Sequence, residues 1–243
     1  MTNEFSLEEV DVDGAVRETR EEAIYHLDKA GDTRADFLRK AAVGGGAVAG
    51  GGALIGMLAP SALAAGKGRP PAKPFGKGDI GIGNFALVLE YLESAFYNEA
   101  TKNQERMSFL KNPQLQVFLR TVTIDENRHV GALKALLGAK AVKRPQFNFR
   151  GDTANEGQFV KNSFIFENTG VHAYSGQAFN IKSAKILKAA LSIVTIEARH
   201  AAVIGLIGGE SVSAIAPNGA FDTPYTAKKV LAGVKKLNYI TKL

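Results

Sequence analysis

The sequence predicts an all-α protein: a four-helix bundle built from two helical hairpins, joined by one long crossover connection and followed by a short C-terminal helix. Three observations carry this. Apolar residues recur at helical spacing along four long stretches, no stretch shows the period-two alternation of a half-buried strand, and the three connections between the stretches run short, long, short. With 243 residues, 45% hydrophobic and 22% charged, the chain has enough apolar surface for one sizeable core. Cysteine is absent, which excludes disulfide scaffolds, thiolate metal sites, iron–sulfur clusters and cysteine nucleophiles. Any metal must be held by His, Asp, Glu or backbone oxygen.

Residues 1–64 read as an acidic leader followed by a signal segment, and 65–78 as a linker. Between Lys40 and Lys67 there is no charge, and Ala41 to Pro60 holds seven glycines among twelve other apolar residues. Such a run is too glycine-rich for a stable membrane helix. Basic residues precede it, and Ala62-Leu63-Ala64 offers a small-x-small cleavage site, the anatomy of a secretory signal. Thr33, Arg34, Phe37, Leu38 and Arg39 resemble a twin-arginine (Tat) signal, with Ala35 standing where the second arginine belongs. Export to the cell envelope, with cleavage near Ala64, is the expectation. Residues 1–64 contain 6 of the 30 basic and 11 of the 24 acidic residues, so the remaining chain carries 24 and 13, a net +11. That surface favours anionic envelope neighbours; export argues against a specific nucleic-acid partner.

The first helix is expected over Asp79–Lys102, where Phe85, Leu89, Leu92 and Phe96 fall at i, i+4, i+7 and i+11. Asn112-Pro113 starts the second, an N-cap followed by proline at the first helical position, and the apolar stripe continues to Gly138. Residues 139–158 are rich in Pro, Gly, Asn and Asp and form the long connection. The third helix spans Phe159–Ala178, and the fourth Ser183–Ile207, stopped by Gly208-Gly209. These four make a bundle over 79–210. In the extension 211–243, a last helix over Thr226–Thr241 sets Val230, Val234 and Leu237 opposite Lys228, Lys229, Lys235 and Lys236. A helix of about 26 residues is about 40 Å long, and a 20-residue loop reaches about 60 Å, so the middle connection can traverse the bundle.

Two of the three histidines beyond residue 64 follow a glutamate at i−3: Glu126–His129 and Glu197–His200. On a helix that spacing turns a carboxylate and an imidazole toward one centre, a metal-ligand geometry. The preceding helix in each half adds a glutamate amid apolar residues with a tyrosine seven later: Glu90 with Tyr97, and Glu167 with Tyr174. The halves are offset by 77 residues for the Glu/Tyr elements and by 71 for Glu-x-x-His, the pattern of a diverged two-helix repeat. Glu93 also faces inward, one turn from Glu90, and competes with it; the repeated Glu-to-Tyr spacing favours Glu90. His172 lies about 140° round its helix from Glu167 and falls outside the set. Tyr97 and Tyr174 read as core aromatics that hydrogen-bond near the site. Asp125, Arg128 and Arg199 read as surface or salt-bridge residues.

Four carboxylates and two imidazoles make the ligand set of the ferritin-like di-iron carboxylate proteins. Residues 79–210 resemble that superfamily, and its exported, desiccation-related bacterial branch in particular, through NFALVLEYLESAFY (Asn84–Tyr97) and DENRH (Asp125–His129). The resemblance implies metal ligation by Glu90, Glu126, His129, Glu167, Glu197 and His200, with Glu126 and Glu197 bridging and so at the reacting centre. It implies two iron ions, with manganese or a mixed Fe/Mn pair served by the same ligands. It further implies reactivity toward O2, peroxide or ferrous iron, with oligomer formation open. A non-catalytic, stress-protective helical protein with a structural or lost metal site is the alternative.

Overall fold

The structure is a computed structural model, and it describes residues 75–209, 215–217, 219 and 221–242. The leader, the Tat-like segment and most of the linker lie outside the described residues.

Four long helices form where the apolar periodicity lies: α1 (Gly78–Met107), α2 (Pro113–Leu137), α3 (Glu156–Gln177) and α4 (Ala184–Ile207), followed by the shorter α5 (Ala227–Leu237). Their starts are chemically encoded. Asn112, Asn155, Ser183 and Thr226 each accept a hydrogen bond from a first-turn N–H, and Pro113 follows the first of these caps. α1 runs five residues beyond the expected Lys102 because its last turn, Gln104 to an exposed Met107, continues no buried apolar stripe. It stops at Ser108, in the left-handed region with φ 48°. α3 starts three residues earlier than Phe159, because the Asn155 cap precedes the first apolar residue. α5 is shorter than expected, ending at Leu237 before a left-handed Asn238.

The bundle has two ends, defined by side chains that clamp loops. At one end buried Asn84, near the start of α1, donates to Phe75 O and Lys140 O and accepts from Val142 N, each at 2.9 Å. There too Asp79 accepts from Lys182 N (2.9 Å) and Ser183 N (2.7 Å), ahead of α4. At the other end Glu156, the first residue of α3, accepts from the backbone N–H of Lys111, and Asn103 donates to Thr153 Oγ1 at 3.0 Å. α1 and α4 therefore begin together, α2 and α3 run opposite to them, and the 138–155 connection traverses the full bundle. The expected topology stands.

That connection also covers α1, which is buried on all sides from Gly81 to Tyr97. Phe149 packs edge-on against Phe96 at 5.3 Å, and Tyr239 of the C-terminal tail packs on Phe149 (5.3 Å) and Phe166 (6.1 Å). A two-stranded ribbon is added to the all-α architecture. β1 (Gln146–Phe147) in the crossover pairs antiparallel with β2 (Ile240–Lys242) in the tail. Two and three residues are too few for alternation to show. The tail is pinned a second time where Tyr225 stacks on His172 (4.1 Å) and passes so close to Gly176 that a Cβ there would meet Tyr225 O at 1.8 Å.

Candidate metal centre

The i, i+3 spacing on α2 and α4 sends Glu126 with His129, and Glu197 with His200, into the bundle, where Glu90 of α1 and Glu167 of α3 meet them. All four carboxylates have zero solvent exposure, and both imidazoles are buried. Donor atoms of Glu90, Glu126, His129 and Glu197 lie within 4.8 Å of one another, and those of Glu126, Glu167 and His200 do the same. Glu126 is common to both groups; Glu197 joins the first. His129 Nδ1 lies 3.1 Å from Glu126, 3.2 Å from Glu197 and 3.3 Å from Glu90. His200 Nδ1 lies 3.0 Å from Glu167 and 3.2 Å from Glu126.

The two tyrosines cross between halves. The Tyr97 hydroxyl donates to Glu167, and the Tyr174 hydroxyl donates to Glu90. Each half thus supplies the hydrogen bond that orients the other half's lone glutamate. His200 has a further partner that sequence reasoning set aside: its Nε2 lies 3.3 Å from Asp125. An N–H donated there leaves the Nδ1 lone pair of the neutral ring facing inward. Asp125 precedes a ligand-type glutamate on the helix, and that adjacency was the available signal. Glu93 is buried too, at 3% exposure, but belongs to neither donor group. His172 sits apart, against Tyr225.

Gly170 makes room for one of the carboxylates. A Cβ at that position would lie 2.4 Å from Glu197 Oε2. Only a residue without a side chain lets α3 approach α4 here with Glu197 turned into the bundle.

Charge repulsion and burial dominate the electrostatics. Burial raises Glu197, and the neighbouring carboxylates, Glu126 foremost, raise it further. Burial followed by Glu197, Glu90, Glu126 and Glu167 lifts Glu93 well above the carboxylate range. Glu126 is pushed up to about 7 by burial, with His129 and His200 pulling it back. Burial alone would lower both histidines, but the carboxylates crowded against them override it: Glu126, Glu197 and Glu90 raise His129, while Glu126 and Glu167 raise His200 to about 11. Without metal, protons shared among imidazoles and carboxylates hold this cluster together.

They do not satisfy it. Glu90 Oε2, Glu126 Oε1 and both oxygens of Glu197 are buried without a hydrogen bond of their own; the imidazole nitrogens that come within 3.3 Å of three of them, His129 Nδ1 and His200 Nδ1, are already bonded to Glu126 Oε2 and Glu167 Oε2. Buried carboxylate oxygens without partners are costly unless a cation takes their lone pairs. Hard oxygens and imidazole nitrogens converging in two groups with a shared carboxylate fit a pair of first-row divalent ions. Bound there, such ions supply Lewis acidity and one-electron redox chemistry.

Fold and site together define a class: helical-bundle proteins with a buried carboxylate–imidazole centre compatible with a dinuclear metal site. A model of the ferritin-like domain matches residues 78–210, all four long helices, and the chain belongs to that family. No individual curated protein matches it.

Proposed function

We propose that this chain is a dinuclear metal protein of the cell envelope whose centre, iron or manganese, reacts with O2, peroxide or ferrous iron. The observation that carries the reading is the pair of buried donor groups sharing Glu126, with carboxylate oxygens left unpartnered in the middle. Glu90, His129 and Glu197 would hold one ion and Glu167 with His200 the other, with Glu126 common to both donor groups. Four carboxylates balance two divalent charges, so loading replaces the shared protons with metal and leaves a near-neutral interior. The tyrosines orient Glu90 and Glu167, Asp125 orients His200, and the surrounding helices exclude bulk water.

Export rests on the Tat-like segment, and an envelope location fits the +11 charge of the chain beyond residue 64. Exposed Val117, Val203 and Leu206 on the α2/α4 face are compatible with self-association. Elemental analysis of purified protein, followed by ferrous oxidation assays with and without Glu126→Ala, tests the reading. Metal retention with turnover that the substitution abolishes supports it. Metal retention with no turnover toward O2 or peroxide makes the metal a structural staple instead.

A further inference from the structure

An apolar chamber lies between the early turns of α1 and α4 and the last turns of α2 and α3, one side chain away from the centre. Phe85, Leu89, Leu133, Tyr174 and Ala190 line it, with half-buried Ile181 and Ile186 completing the wall. The centre of a water-sized sphere can occupy about 20 Å³ of it. That is room for one small molecule, since about 10–15 Å³ on this measure admits a water. Room does not make it wet. A buried water needs two to four polar partners. The Tyr174 hydroxyl is committed to Glu90, and Gln177 offers one unpartnered polar atom, the Nε2 amide nitrogen. The rest of the wall is hydrocarbon.

We propose that this chamber takes up dioxygen and excludes water and peroxide, placing O2 behind the Tyr174–Glu90 pair. O2 has no hydrogen bonds to lose on leaving water, whereas hydrogen peroxide would surrender two donors and its acceptors with almost nothing in return. The inference deepens the proposed function by naming O2 as the oxidant, and it rests on that reading for its consequence though not for the binding itself.

Xenon, an apolar probe of similar size, separates the two. Xenon-pressurised crystals and 129Xe NMR are expected to show one atom in the chamber of the full chain, metal-free or loaded. Ala190→Leu should remove it, and Leu133→Ala should raise its occupancy. In iron-loaded protein, Ala190→Leu should lower the O2-driven rate several-fold relative to the peroxide-driven rate, with the cobalt(II) binding isotherm unchanged. Absence of xenon from the wild-type chamber, ordered water in its place, or equal loss of both rates would overturn the proposal. A chain that binds xenon but no metal would keep the chamber and sink the proposed function.

Discussion

The two halves of the bundle carry the same donors in different surroundings. Glu90, Tyr97, Glu126 and His129 correspond to Glu167, Tyr174, Glu197 and His200. One turn beyond Glu90 stands Glu93, where the counterpart beyond Glu167 is Gly170. Asp125, which backs His200, has Ile196 as its counterpart. The α1/α2 seam is stitched by hydrogen bonds: Ser94 to Asn127 at 2.8 Å, Asn98 to Asn127 at 2.9 Å and Thr101 with Thr123 at 3.0 Å. The corresponding α3/α4 positions are Val171, Ala198, Ser175, Ala178 and Val194, so that seam closes on small and apolar side chains. Six donors and the two tyrosines behind the lone glutamates were kept in register while the seams around them diverged, as expected if the chemistry constrains the donors and packing constrains the rest.

The sharpest way to break the equivalence is at the shared carboxylate. Glu126→Ala should drop bound metal from two ions per chain to less than one, whereas Glu197→Ala, which leaves the second donor group intact, should retain about one; competition titration with a coloured chelator distinguishes them. Equal loss from both variants would restore the symmetric picture. Gly170→Ala comes next. A Cβ 2.4 Å from Glu197 Oε2 must push that carboxylate aside, weakening metal retention at least tenfold and costing about 1–3 kcal/mol of stability by overpacking, measured by urea unfolding.

Acidity should separate metal-free from loaded protein. Folded Glu126 holds its proton up to about 7 against an ordinary value of 4.5, and folded His200 up to about 11 against 6.5. In both windows the folded chain binds more protons than the unfolded one, so metal-free stability falls as pH rises between about 5 and 10. Bound cations replace those protons, and the rise in Tm on adding manganese should grow with pH over the same range. A metal-free Tm that climbs with pH would contradict this electrostatic picture.

Smaller effects sharpen the comparison. Tyr97→Phe and Tyr174→Phe each remove one hydrogen bond to a buried glutamate, worth about 1.5–3 kcal/mol when the acceptor is charged. Similar losses of metal affinity from the two would show that the crossed pairs are equivalent. Glu93→Gln should leave two ions bound and modestly stabilise the metal-free fold, because it removes a buried carboxyl crowded by four others. Loss of an ion would make Glu93 a ligand in its own right.

Much of the centre was legible before any coordinates. Glu-x-x-His at i, i+3 determines direction on a helix, and the lone glutamates stood out as carboxylates amid apolar residues with a tyrosine seven positions on in both halves. The crossing of the tyrosines was not legible: periodicity puts Tyr97 and Tyr174 inside but cannot say which glutamate each reaches, since that depends on how two separated helices register. Asp125 looked like a surface residue because its partner arrives from α4, 75 positions away. The role of Gly170 is a matter of interhelical distance, invisible to pattern. β1 and β2 escaped because they are held by pairing between the crossover and the tail rather than by their own alternation.

The central claim is that six buried side chains hold two cations. Elemental analysis of protein purified without added chelator, run beside Glu126→Ala, tests it most directly. Close to two equivalents of iron, manganese or both are expected in the wild type, and a loss of more than half in the variant. Wild-type protein that stays metal-free after incubation with excess ferrous or manganous ion, yet folds normally, would contradict it.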